Sequence, residues 1–197
     1  MWVKVCGLRT RECVDAAIEA GVDAIGFVLA PSVRQVAVHE ARALAVHIAG
    51  RVSTVGVVRR LDRAALEQCR AAELDIAQGV PVGVSLLDGV LPVLQDDDDL
   101  LRAAAALPGS RLLVDGANPG SGVPADWSRV AELAKHRSIV LAGGLNACNV
   151  SAAIKIVRPV GVDVSSGIEQ VPGRKDPEMI FAFTRAARRA AASLELH

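Results

Sequence analysis

Tyrosine is absent from this 197-residue chain, and all aromatic residues together reach only 3%. A platform that stacks nucleobases needs aromatic faces, so this scarcity argues against single-stranded nucleic acid as a partner. Net charge is missing as well, because 22 Lys and Arg balance 22 Asp and Glu. A neutral chain has no overall field to draw it to nucleic acid or to an acidic membrane. Cysteine is sparse and dispersed: Cys6, Cys13, Cys69 and Cys148 form no C-x-x-C pair and no Cys/His cluster. That pattern reads as reduced thiols in a cytoplasmic protein, with no disulfide framework and no zinc site. Long apolar runs are lacking too. The longest are shorter than a bilayer span and are broken by glycine or charge, and the opening MWVKVCGLRTREC has no stretch of signal-peptide type.

What is plentiful is apolar. A hydrophobic share of 51% and a mean hydropathy of +0.34 exclude disorder. The length suits one domain covering 1–197. It is short for an eight-fold βα barrel, which typically takes about 250 residues.

Short β-branched runs alternate with Ala/Leu-rich amphipathic stretches. Strands are expected at Trp2–Cys6, Asp23–Val28, Val52–Val58, Leu74–Ala77, Val90–Gln95, Arg111–Asp115, Ser138–Ala142 and Val162–Ser165. Helices are expected at Arg11–Ala20, Val38–Ala49, Asp62 to about Ala72, Asp97–Ala106, Asp126–Ala134, Ala147–Val157 and Pro177–Ala192. The Gly-rich residues 79–89 hold no convincing helix. Continuous apolar strands in strict alternation with helices predict a parallel sheet buried on both faces. An open doubly wound sheet and a closed barrel both satisfy this, and the count of eight favours the barrel.

Chemistry in such folds lies where strands end and helices begin. Gly143-Gly144 and Ser165-Ser166-Gly167 follow adjacent strands. Small residues there either let backbone N–H groups approach a phosphate or make ordinary tight turns. Two such turns in neighbouring units favour phosphate. Cys6, followed by Gly7, is either an exposed thiol able to act as base or nucleophile, or a small buried hydrophobe. Cys13, Cys69 and Cys148 fall in helical stretches and read as the latter. Asp115 is either a general acid with a pKa raised by desolvation or the start of a turn. Arg34, in the loop after the second strand, either binds a carboxylate or phosphate bidentately or is simply solvated; Arg59 and Arg60 share both readings. The run Asp96–Asp99 reads as helix capping in preference to a metal site. Lys4 and Cys6 share one side of their strand, as Asp163 and Ser165 share one side of theirs. If these strands are neighbours in a closed barrel, Lys4 and Asp163 pair inside it.

Six ordered stretches are VKVCGLRTRECVDAAIEAGVDAIGFV (3–28), SVRQV (32–36), LLVDG (112–116), GSGVPADW (120–127), LAGGLNACNV (141–150) and GVDVSSGIEQVPGRKD (161–176). Together they resemble the phosphoribosylanthranilate isomerase family of tryptophan biosynthesis. The resemblance implies a single compact (βα)8 TIM barrel and an Amadori rearrangement that uses no metal and no cofactor. By motif position it implies Asp115 as general acid and Cys6 as general base. It implies Arg34 as the partner of the anthranilate carboxylate, and the backbones of Gly143, Gly144, Ser166 and Gly167 as the phosphate cradle. The partner expected is a phosphorylated small molecule, with the chain a monomer or homodimer.

The sequence also departs from the family pattern. Ile76-Ala77-Gln78-Gly79 stands where the family usually has a QLHG-type motif, with Gln78 in the place of the histidine. Ser32-Val33-Arg34 replaces the usual serine-proline-arginine, and 120–127 departs from the usual GTGKTFDW. Val58-Arg59-Arg60 replaces the usual aromatic and asparagine. The segment from Gly79 to Val90 leaves the helix after the fourth strand shortened or missing. These changes leave two alternatives: a related aldose-ketose isomerase for another phosphoribosyl amine, and a catalytically weak barrel that only binds phosphorylated ligands. Retention of both Cys6 and Asp115 disfavours the second, since binding alone needs neither.

Overall fold

The eight expected strands form, and they close on one another. A computed structural model describes residues 1–83, 89–107, 111–116 and 125–195. In chain order the elements are β1 (Trp2–Cys6), α1 (Arg11–Glu19), β2 (Ala24–Val28), α2 (Val38–Ile48), β3 (Ser53–Leu61), α3 (Arg63–Ala71), β4 (Ile76–Pro81), β5 (Val90–Gln95), α4 (Leu100–Ala106), β6 (Arg111–Asp115), α5 (Trp127–Ala134), β7 (Ser138–Leu141), α6 (Val150–Val157), β8 (Gly161–Val164), β9 (Glu169–Val171), β10 (Arg174–Lys175) and α7 (Pro177–Glu195). Strands β1 to β8 pair in parallel in sequence order, and β8 returns to β1 with Trp2 opposite Gly161 and Lys4 opposite Asp163. Closure removes both sheet edges and with them the unpaired backbone groups of an open sheet. This is a (βα)8 barrel.

Side-chain alternation along the strands makes two apolar layers. The interior holds Leu91, Leu113, Val140 and Ala142, with Trp2, Ile76 and Val93 packed against them. The opposite parity, including Val3, Val5, Leu112, Val114, Ile139 and Leu141, packs outward under the helices on Val14, Leu44, Val130, Ile154 and Phe183. Polar caps set where the helices start. Thr10 Oγ1 accepts the N–H of Cys13, Asp62 accepts that of Ala65, and Asp126 accepts those of Ser128 and Arg129.

Several expected boundaries shift. The fourth strand is Ile76–Pro81, not Leu74–Ala77, because Glu73 and Leu74 still close the preceding helix: their N–H groups donate to Arg70 and Cys69. Strand β3 runs on past Val58 to Leu61, and after a register shift Arg60 and Leu61 pair with Val80 and Pro81. Arg59-Arg60 and Gln78-Gly79 therefore belong to strands and not to the loops beyond them. The helix expected from Asp97 starts at Leu100. The acidic run before it is split in role: Asp97 accepts the N–H of Asp99, while Asp96 accepts that of Asp126 and so ties the end of β5 to the start of α5. The β9–β10 hairpin is an element the pattern did not suggest. Between Pro81 and Val90 lie only residues 82–89. Val82, Gly83 and Gly89 are non-helical, and 84–88 fall outside the described residues. Residues 117–124 fall outside them too.

Candidate active site

Parity places Lys4 and Cys6 inside the barrel. Lys4 is fully buried, and its Nζ donates to Asp163 Oδ1 at 2.9 Å. The expected pairing of β1 with β8 thus brings these two charges together. Burial alone pulls Lys4 down; Asp163 and Cys6 more than offset this, and its pKa ends raised, so it stays an ammonium. Room for this cluster comes from Gly26 on the neighbouring strand. A Cβ at Gly26 would sit 2.9 Å from Cys6 Sγ and 3.0 Å from Lys4 Nζ, so the thiol and the ammonium converge on the volume that glycine leaves open.

Cys6 is 6% exposed. Burial pushes its thiol above the ordinary value of 9.0, while Lys4 and Lys175 pull it down and Asp163 pushes it up. Asp115, at the end of β6, is also pushed up, to about 6. Burial is the main cause and the charge of Asp163 adds to it, against the pull of Lys4 and the Gly116 N–H, which donates to Oδ1 at 2.8 Å. A carboxyl in that range can hold and give up a proton near neutral pH.

The glycine turns lie beside these groups. Gly143 has φ +82, and a Cβ on it would meet the Gly116 nitrogen at 2.5 Å and Asp115 Oδ1 at 3.1 Å. A side chain there would displace the turn that carries Asp115. Asn149 Nδ2 donates to the Gly144 carbonyl at 2.9 Å, which holds the turn ahead of α6. The loops after β7 and β8 are joined by a bridge between Asn146 and Gly167. Among the described residues, no acceptor takes the N–H of Gly143, Gly144 or Ser166. These donors lie at the mouth near the start of α6, where an anion gains from both the N–H groups and the helix dipole. A Cβ on Gly167 would stand 1.9 Å from the Leu145 carbonyl oxygen. Gly167→Ala must therefore move backbone. The expected cost is about 1–3 kcal/mol of stability, read as a lower Tm, together with a KM that rises more than kcat falls.

Arg34 is not simply solvated. Its Nε and Nη2 donate to the two oxygens of Glu169 at 2.7 and 2.9 Å, a bidentate pair that leaves the Nη1 side of the guanidinium for another anion. Gly7, at φ +79, lets the Arg34 stem cross close above it. Glu169 belongs to the β9–β10 hairpin and also pairs with Lys175 at 2.7 Å. Lys175 Nζ donates further to the Ser165 carbonyl and hydroxyl at 2.9 and 3.1 Å, and Ser165 Oγ donates to the Cys6 carbonyl at 3.2 Å. The hairpin thus links Arg34 to the end of β1. Glu169 and Lys175 were missed as functional residues. The signal available was the turn dipeptide Pro172-Gly173 between Val171 and Arg174.

Gln78 lies on the interior side of β4, in phase with Ile76, 5% exposed and with an Oε1 that has no partner among the described residues. Arg59 donates to the Pro31 carbonyl and so braces the loop that carries Arg34. Among the described residues, no group of three His, Cys, Asp or Glu side chains is placed to hold a metal ion, and no helix is long and apolar enough to cross a membrane.

A closed parallel barrel whose buried ionisable groups and open backbone donors gather at the C-terminal ends of its strands belongs to the class of (βα)8-barrel enzymes. Comparison with known proteins narrows the class. The family described as N-(5'phosphoribosyl)anthranilate (PRA) isomerase matches residues 3–186. The N-(5'-phosphoribosyl)anthranilate isomerase of Roseiflexus castenholzii is 39% identical over 216 residues, covering 97% of this chain and 100% of its own. The crystal structure of the phosphoribosyl anthranilate isomerase from Thermus thermophilus superposes with a TM-score of 0.85 at 31% identity, covering 98% of this chain and 100% of that one. A further solved isomerase, in complex with reduced 1-(o-carboxyphenylamino)-1-deoxyribulose 5-phosphate, matches with a TM-score of 0.81 at 30% identity, covering 96% and 99%. The chain belongs to the N-(5'-phosphoribosyl)anthranilate isomerase family and is an isomerase.

Proposed function

We propose that the chain converts N-(5'-phosphoribosyl)anthranilate into 1-(2-carboxyphenylamino)-1-deoxyribulose 5-phosphate in tryptophan biosynthesis in the cytoplasm. The observation that carries this reading is the order of groups around the barrel mouth. Strands follow one another as β6, β7, β8, β1, β2. The corresponding groups are Asp115, Gly143 and Gly144, Ser166 and Gly167, Cys6, and Arg34. A phosphate held by the two middle loops leaves its sugar between an acid on one side and a base on the other. The carboxylate of the amine then extends toward Arg34.

The reaction is an isomerisation, so no atom or electron is gained or lost. Protonated Asp115 gives its proton to the ribose ring oxygen as the C1–O bond breaks, which leaves a Schiff base between C1 and the amine. Cys6, as thiolate, removes the proton from C2. The resulting enolamine takes a proton at C1 while its C2 hydroxyl gives one up, so the C2–O bond becomes the carbonyl of the aminoketone and no proton is gained or lost overall. The backbone N–H groups of Gly143, Gly144, Ser166 and Gly167 hold the phosphate throughout, and the open side of Arg34 pairs with the aryl carboxylate. Glu169 fixes the guanidinium plane, so that little of its freedom remains to be lost on binding.

A second reading is favoured by Gln78. Its buried carbonyl oxygen on the interior of β4, unpartnered among the described residues, suits an amine part that presents a hydrogen-bond donor there. Growth of a tryptophan auxotroph that lacks this isomerase separates the two. Rescue by this chain supports phosphoribosylanthranilate as the substrate. Failure with soluble, expressed protein favours another phosphoribosyl amine.

A further inference from the structure

The charges around Cys6 do not cancel. Lys4 approaches from its own strand and Asp163 from β8. Lys175 approaches from β10, beside Ser165 and within 3.4 Å of the point where a Gly7 Cβ would lie. Arg34 reaches in from the loop after β2, and Glu169 pairs with both Arg34 and Lys175. Gly26, the β2 neighbour, contributes no side chain. Three cations and two carboxylates leave one unit of positive charge while Asp115, which interacts with Lys4 and Asp163, holds its proton. A thiolate at Cys6 neutralises it.

We infer that Lys4 is a positioning residue whose buried ammonium, held by Asp163, stabilises the thiolate form of Cys6. The inference rests on reading Cys6 as the base. Its physical content is the sign of two effects. Burial disfavours a charged sulfur, so a thiolate in this place needs a cation in contact. Lys4 is that cation: its ammonium and the sulfur converge on the volume that Gly26 leaves open, and the two groups interact there. The effect of Lys4 on the thiol exceeds the opposing effect of Asp163. Asp163 orients Lys4 at the cost of drawing off part of its field.

The absence of tyrosine makes the test clean, because no phenolate titrates in the ultraviolet beside the thiolate. Thiolate absorbance is followed against pH, and subtracting the Cys6→Ser titration isolates Cys6. Lys4→Met is expected to raise the Cys6 midpoint enough to leave about tenfold less thiolate at a given pH. Asp163→Asn is expected to lower it, because the ammonium's counter-charge then becomes the sulfur itself. A merely structural pair moves both variants the same way. If the single variants do not fold, Lys4→Met/Asp163→Asn carries no unpaired buried charge and is expected to titrate above the unmodified chain. An unmoved midpoint in Lys4→Met or in the double variant, or a shift of both single variants in one direction, overturns the inference. Full turnover by Cys6→Ser overturns a different statement, the role of Cys6 as base, whatever the titrations give.

Discussion

Cys6→Ser is expected to lower kcat by about 10²–10⁴ while the barrel stays folded. Serine matches cysteine closely in shape, and its hydroxyl can keep the polar interaction that Lys4 makes with the thiol. What changes is the acidity of the group. A hydroxyl in the same buried place does not ionise, so the proton at C2 loses its acceptor. The Ser165 contact is to the Cys6 carbonyl and survives the substitution. Circular dichroism and Tm should therefore stay near those of the unmodified chain, while turnover of phosphoribosylanthranilate falls. Activity near the unmodified level would remove Cys6 from the mechanism.

Asp115→Asn is expected to give a loss of the same order and, more tellingly, to change the pH profile. Reaction needs Asp115 protonated and Cys6 ionised at once. Asp115 lies at about 6, and Cys6 above its ordinary 9.0. Below pH 6 Asp115 is already protonated, so each further unit of acid only removes thiolate, and activity falls about tenfold per unit. Between the two values, protonated acid is lost as fast as thiolate is gained, and kcat/KM is flat. The unmodified chain should thus show an acid limb near pH 6 that reports Asp115. In Asp115→Asn the residual activity should instead keep rising through pH 6 toward the Cys6 value. A limb near pH 6 in both proteins would assign it to another group. The same scheme connects to Lys4: a higher Cys6 value lowers the flat region of kcat/KM by the same factor as it lowers the thiolate.

Much of this site was legible in the residues, for specific reasons. Strand parity alone put Lys4 and Cys6 on one face and predicted the Lys4–Asp163 pair, because alternation along a strand is strict and barrel closure makes β1 and β8 neighbours. The glycine turns were legible because a close backbone approach tolerates no side chain, as Gly143 and Gly167 demonstrate. The hidden parts depended on long-range contacts. Glu169 and Lys175 gain their importance from a hairpin folded back over the mouth onto Arg34 and Ser165, and local pattern carries no information about such a fold-back. The apolar pattern starts strand β4 two residues too early because Leu74 is apolar for a different reason: it packs beside Cys69 and Gly56 while the α3 cap closes. The length that looked short for an eight-strand barrel is explained in part at 82–89, where only eight residues separate β4 from β5. Just before that segment, on the interior of β4, stands Gln78.

The central claim is that this barrel opens and isomerises an N-linked phosphoribosyl arylamine through Cys6 and Asp115. The direct measurement is the fluorescence of phosphoribosylanthranilate incubated with purified protein, beside an established isomerase and the Cys6→Ser/Asp115→Asn variant. The unmodified chain is predicted to quench the anthranilate-type signal with turnover as the deoxyribulose phosphate forms, and the double variant to leave it unchanged. A steady signal from the unmodified chain while the control enzyme consumes its substrate would contradict the account.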